Sequence, residues 1–202
     1  MAGMGTLQAI TTDTGNSPDV YLVPDFLGQA RASRLLATLW AELNWTQHEI
    51  SLFGRRVCQP RLSCWYGDPG AHYTYSGLHL QPSHWHPALE DIRRVLQDTV
   101  DTRFNSVLAN AYRNGRDSMG WHADDEKELG EEPTIASLSL GACRRFLLRE
   151  RHGNKTICLA LEPGSLLVMQ GASQSVYRHS LPKTSKPVGL RINLTFRMVF
   201  NR

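Results

Sequence analysis

The chain has 202 residues, 41% hydrophobic and 20% charged, with a formal net charge of +3. That length supports one well-buried core and is too short to argue for two, and the composition excludes a largely disordered chain. A mildly basic charge is compatible with nucleic acid without requiring it. Lysine occurs only at Lys127, Lys155, Lys183 and Lys186, so arginine carries most of the positive charge, and arginine suits bidentate contacts to carboxylate and phosphate.

No run of about 18 apolar residues and no charged-then-apolar leader is present, so neither a membrane span nor a secretory signal is expected. Cys58, Cys64, Cys143 and Cys158 form no C-x-x-C pair. They are expected as free thiols in or near the core, in a reducing, intracellular setting. That setting is the cytoplasm, or the nucleus if the chain is eukaryotic.

In chain order, residues 1–18 are rich in Thr, Gly and small polar residues and read as a flexible tail. Val20–Val23 reads as a strand. From Gln29 to Leu43 the apolar residues Ala32, Leu35, Leu36, Leu39, Trp40 and Leu43 recur at helical spacing. Trp45–Ile50 reads as a strand, and Ser51 to Arg56 as a hairpin tip in which Gly54 permits the reversal. Tyr- and Trp-rich strands and turns follow to Leu78, then a connector from Pro82 to Pro87. A second amphipathic helix covers Ala88–Thr99. Strands then dominate: Ser106–Tyr112, Thr134–Leu140, Arg144–Arg149, Thr156–Leu161, Ser165–Gln170 and Leu190–Val199, separated by turn residues. Two helices followed by many short strands predict an α+β chain with a two-sheet core, a pattern that by itself fits any sandwich.

The chemistry gathers in Asn110-Ala-Tyr112 through Glu126. His122-Ala-Asp124 puts an imidazole and a carboxylate at i and i+2, which share a face in extended chain. They suit two of the three facial ligands of a divalent iron, whose remaining positions stay open. His179 follows 55 residues after Asp124, and twelve residues later comes Arg191-Ile-Asn193-Leu-Thr195-Phe-Arg197. In that last segment polar and apolar residues alternate, as on a half-buried strand.

The order N-x-Y, G-x-D, H-x-D-x-E, distant His, R-x-N-x-T-x-R resembles the AlkB family of Fe(II)- and 2-oxoglutarate-dependent dioxygenases, from about Leu52 to Arg197. Further shared strings are Tyr66-Gly-Asp68-Pro-Gly70, Tyr73-Thr-Tyr75-Ser76-Gly77-Leu78 and Ser137-Leu-Ser139-Leu-Gly141-Ala-Cys143-Arg144. The resemblance implies a double-stranded β-helix (jelly roll) within one domain over 19–202. A nucleotide-recognition lid would span about 45–85 and the catalytic core about 105–200. It implies His122, Asp124 and His179 as iron ligands and catalytic residues, with Fe(II), 2-oxoglutarate and O2 as cofactor and cosubstrates. Arg191 would pair with the distal carboxylate of 2-oxoglutarate and Arg197 would support the end near the metal. Asn110, Tyr112 and Asn193 would add hydrogen bonds to the cosubstrate, and Thr195 would pack.

For substrate the resemblance implies Tyr75 stacking on the damaged base, Tyr73 and Ser76 beside its nucleotide, and Glu126 reading the exocyclic amine. Phe53 at the hairpin tip suits a wedge in the base stack, flanked by Arg55 and Arg56. Core packing is the alternative for Phe53 and Tyr73, and the expected role of Trp65, Trp85 and Trp121. His72, His79, His84 and His86 read as loop residues, and Asp117 as a turn residue.

The expected activity is oxidative demethylation of 1-methyladenine and 3-methylcytosine in DNA. It couples 2-oxoglutarate decarboxylation to methyl hydroxylation and formaldehyde release. The expected partner is alkylated DNA, single- or double-stranded, with RNA as a second candidate, and the chain is expected to act as a monomer. Two rivals are the same oxygenase chemistry on RNA or protein, and a non-catalytic jelly-roll module that keeps a metal for structure.

Overall fold

The computed structural model describes residues 8–9, 19–52, 54–75, 78–153 and 155–200, with the backbone alone at 8, 9, 51, 52, 75 and 78. Two antiparallel sheets face each other. The larger carries β1 (Gln8–Ala9), β2 (Val20–Val23), β5 (Leu62–Gly67), β8 (Ser106–Tyr112), β10 (Ile135–Gly141), β13 (Leu166–Met169) and β15 (Arg191–Arg197), in the order β1-β2-β13-β10-β15-β8-β5. The smaller carries β9 (Met119–His122), β11 (Arg144–Glu150), β12 (Thr156–Leu161) and β14 (Tyr177–Leu181), in the order β12-β11-β14-β9. This is the jelly-roll arrangement expected. Of the segment read as a tail, Gln8–Ala9 pairs with Tyr21–Leu22.

The period-2 alternation of β15 assigns its two faces different work. Ile192, Leu194 and Phe196 join Ala109, Ala111, Leu138 and Leu140 in a core closed by α1 (Gln29–Glu42) and α2 (Pro87–Val100) through Leu35, Leu39, Leu89, Ile92 and Leu96. α1 and α2 therefore cover the outer face of the larger sheet. α2 starts where His86 caps it, its ring nitrogen accepting from Ala88 N at 3.2 Å, with Pro87 in the first turn, where proline loses no helical hydrogen bond. Between the sheets, Ile135, Leu167 and Met169 pack on Phe146, Leu148 and Tyr177.

Two hairpins stand beside the sheets: β3 (Glu49–Leu52) with β4 (Arg55–Cys58), and β6 (Tyr73–Tyr75) with β7 (Leu78–Leu80). Register Leu52↔Arg55 makes the first turn two residues long, and Gly54 has φ 74°, a left-handed conformation that glycine adopts without a Cβ penalty. Phe53, Ser76 and the side chain of Tyr75 lie outside the described residues.

Several expectations are corrected. The strand expected at Trp45–Ile50 begins only at Glu49, with a single bridge from Thr46 to Ser63 before it. Trp121 is not packing: it is 38% exposed, because its neighbour His122 takes the inward face. The guanidinium of Arg149 lies 4.3 Å above its ring. All four cysteines are free, but only Cys64 is buried, while Cys58 and Cys158 are exposed on strands β4 and β12.

Candidate metal centre

The two imidazoles are brought together by strand pairing. β9 and β14 run antiparallel with His122 directly opposite His179, and the register shifts between His179 and Leu181. Their rings meet edge to face with centroids 4.2 Å apart. Asp124 lies two residues beyond the end of β9, and its Oδ1 stands 3.7 Å from Nε2 of His122. One ligand atom from each of His122, Asp124 and His179 lies within 4.8 Å of the other two, and no other group of three or more such residues does so among those described.

Each of the three side chains is set by a neighbour. Nδ1 of His122 donates to the Gly120 carbonyl at 2.8 Å, which leaves the lone pair on Nε2. The Phe146 ring stacks on His179 at 5.3 Å. Burial lowers the pKa of both histidines, that of His179 to about 3, with the neighbouring imidazole adding to the effect there. Both are therefore neutral at physiological pH. Burial works to raise the pKa of Asp124, but Arg197, His179 and His122 together hold it well below the usual carboxylate range. Nη2 of Arg197 donates to Asp124 Oδ2 at 2.7 Å.

The inner face of β15 continues the site. Arg191 lies opposite Tyr112 and Gly141, Asn193 opposite Asn110 and Ser139, and Thr195 opposite Leu108 and Ser137. Arg191 is 1% exposed and donates to Ser139 Oγ at 2.9 Å and to Asn193 Oδ1 at 2.7 Å. Its guanidinium carbon is 5.4 Å from the centroid of the Tyr112 ring. Burial pulls its pKa down to about 10, so it still carries a charge at neutral pH. Asn193 passes the chain on to Thr195 Oγ1 at 2.8 Å, and Asn110 Oδ1 accepts from Arg61 Nε at 2.9 Å. His122, Asp124, His179, Asn110, Tyr112, Arg191, Asn193, Thr195 and Arg197 line one cavity between the sheets.

Iron and a dicarboxylate fit these groups. Asp124 Oδ1 is a buried acceptor with no hydrogen-bond partner, and Nε of Arg191 and Nε and Nη1 of Arg197 are buried donors with none. Buried charged groups are seldom left so; a cation beside Asp124 and carboxylates beside the arginines would complete them.

The substrate residues divide. Tyr73 is 1% exposed and stacks on Trp65 at 4.9 Å, within a small cluster that includes Leu108 and Leu129. That is a packing position, with the Arg197 guanidinium carbon 5.7 Å from the centroid of the Tyr73 ring. Burial raises the pKa of the Tyr73 hydroxyl and of the nearby Glu126 carboxyl. Glu126 is half-buried, just ahead of a short turn of helix at Lys127–Leu129. Three contributors escape sequence reasoning. Arg61, Ser139 and Gln174 reach the site only through the tertiary fold; nothing in the local pattern singles out Arg61 or Gln174, and Ser139 stands in a shared string that gives it no role of its own.

Residues 19–197 match the family described as the 2OG-Fe(II) oxygenase superfamily. Human alpha-ketoglutarate-dependent dioxygenase alkB homolog 3 is 38% identical over 97% of this chain and 71% of its own. Human DNA oxidative demethylase ALKBH2 is 38% identical over 85% of this chain and 70% of its own. The solved structure of OsALKBH1 is alike in fold, with a TM-score of 0.63 at 19% identity, covering 89% of this chain and 98% of that one. The chain belongs to the 2OG-Fe(II) oxygenase superfamily, in its AlkB branch. It is a dioxygenase that works with Fe(II), 2-oxoglutarate and O2.

Proposed function

We propose that this dioxygenase removes N-linked methyl groups from nucleobases, with 1-methyladenine and 3-methylcytosine in DNA as its substrates. The observation that carries the reading is the convergence of His122, Asp124 and His179 beside a buried row of cationic and amide side chains in one cavity. The nucleic-acid part draws support from a relative named a DNA oxidative demethylase, 38% identical over 85% of this chain. No helix among the described residues is long and apolar enough to cross a membrane.

In this reading His122, Asp124 and His179 would hold the iron through two neutral imidazoles and one ionised carboxylate. Bound there, Fe(II) with 2-oxoglutarate and O2 supplies the oxidising power that hydroxylates the methyl group, and succinate, carbon dioxide and formaldehyde leave. Arg191 receives the distal carboxylate of 2-oxoglutarate in a dry pocket, where a charge-assisted fork is stronger than in water. Asn110, Tyr112 and Asn193 fix its orientation. Arg197 keeps Asp124 ionised and directs its second oxygen away from the metal side. Glu126, near Tyr73, offers an acceptor for an exocyclic amine, while Tyr75, Ser76 and Phe53 serve the flipped nucleotide, whose extrusion costs a few kcal/mol. The test is a base-resolved demethylation assay on methylated single-stranded DNA, duplex DNA and RNA. Turnover on RNA alone, or on none of them, would overturn the DNA assignment.

A further inference from the structure

The ladder between β9 and β14 closes at His122↔His179, so the chain leaves the sheet just before Asp124. Asp124 is 1% exposed. Its backbone N–H is therefore buried past the last ladder pair and needs an acceptor from elsewhere. The acceptor is Oε1 of Gln174, at 2.9 Å across 50 residues of sequence.

Gln174 is itself held from every side. It is 2% exposed and sits in α3 (Ser173–Val176), the turn of helix that leads directly into β14 and His179. Its Nε2 donates to Met169 Sδ at 3.5 Å and to Ser173 Oγ at 3.3 Å. Its backbone carbonyl accepts from Arg151 Nη2 at 2.9 Å, and the same nitrogen holds Asp125 Oδ2 at 2.5 Å. One residue thus ties the segment that carries Asp124 to the segment that carries His179.

We propose that Gln174 is a positioning residue for the metal, fixing the backbone of Asp124 so that Oδ1 faces His122 and His179. The inference rests on the reading of these three residues as iron ligands. Arg197 holds Oδ2 and Gln174 holds the main-chain nitrogen, so Asp124 is fixed at both its side chain and its backbone and Oδ1 is left to face a cation. The amide is the suitable group here. It accepts from the N–H and donates to the sulfur and hydroxyl at once. A glutamate would bury a second carboxylate beside Asp124, and an apolar side chain would leave the N–H without an acceptor.

The experiment is an anaerobic Fe(II) titration of the whole chain with 2-oxoglutarate present, read by the charge-transfer absorption of the complex, alongside thermal melting. Gln174→Met keeps the volume and removes the acceptor; Gln174→Asn keeps the amide but withdraws it by one methylene, and serves if the first variant fails to fold. Ile135→Val, in the same core between the sheets, controls for lost packing. Each Gln174 variant is expected to bind Fe(II) roughly 10- to 100-fold more weakly, as for other groups that orient a metal ligand, while the control keeps its affinity at a comparable loss of Tm. A Gln174 variant that melts lower yet binds Fe(II) within about twofold of the parent overturns the proposal. Asp124→Ala, titrated in parallel, separates the two claims. Parent-like affinity in that variant would sink the ligand reading itself. Lost affinity there with unchanged affinity in Gln174→Met would sink the positioning role alone.

Discussion

Arg197 and Asp124 are 73 residues apart in sequence and 2.7 Å apart in space, joined by a bond from which water is excluded on both sides. The pair couples the last strand of the larger sheet to the turn that carries Asp124. Burial opposes the charge on each, and each overcomes it through the other. Removing one member leaves a buried charge uncompensated, a change that costs about 3–5 kcal/mol. Arg197→Met should lose that much stability in urea unfolding of the metal-free protein. The double variant Arg197→Met/Asp124→Leu should recover most of it. A loss below about 1 kcal/mol in the single variant would mean the pair is solvated.

Arg191→Leu should raise the 2-oxoglutarate needed for half-maximal turnover far more than the methylated DNA needed. A partly buried charge-assisted bond is worth about 1.5–3 kcal/mol, or roughly tenfold to a hundredfold in affinity. An unchanged cosubstrate titration would place the ligand away from the Arg191–Asn193 row.

Long periodic elements were legible in the sequence. α1 and α2 lie within two residues of the helical stripes, where one buried face imposes the period, and β8, β11, β12 and β15 lie within two residues of the expected strands, although β8 and β15 are buried on both faces and not half-buried. β9 and β14 were not. Met119-Gly-Trp-His122 and Tyr177-Arg-His-Ser-Leu181 are only four and five residues long, and each gives an inward position to a histidine, His122 or His179, where an aliphatic side chain would have marked the alternation. His122, Asp124 and His179 were found through motif spacing and do converge. The burial of Tyr73 and the exposure of Trp121 depend on which face the chain turns inward near the site, and local sequence does not fix that. Gln174 was invisible, since a lone glutamine gains meaning only from the buried N–H it meets.

Asp117 gives a pH signature away from the metal. Burial would raise its pKa, but the Arg113 guanidinium and backbone N–H, at 2.8 and 2.9 Å, outweigh burial and lower it. A depressed carboxylate contributes stability above its unfolded pKa of about 3.9 and loses it as pH falls through the lower folded value. The parent should therefore lose stability more steeply than Asp117→Asn as pH drops below about 4. Parallel stability curves over that range would show that Asp117 titrates alike in the folded and unfolded states.

The hairpin of β3 and β4 exposes Arg55, Arg56 and Val57, with Arg56 paired to Glu49 at 2.8 Å. A wedge at its tip would act only where a base must leave a stack. Phe53→Ala should thus lose repair of duplex DNA selectively while retaining repair of the same lesion in a single strand. Equal losses on both, with a lower Tm, would assign Phe53 to packing.

The central claim is that His122, Asp124 and His179 drive oxidative demethylation of a base. Its most direct test follows formaldehyde and succinate together from an oligonucleotide carrying one 3-methylcytosine, with Fe(II), 2-oxoglutarate and air, for the parent chain and for His122→Ala. The parent should release one formaldehyde for each methyl group lost, and a His122→Ala variant that remains folded should release neither formaldehyde nor succinate. Full activity in purified His122→Ala, or a parent that leaves the methyl group in place, would contradict it.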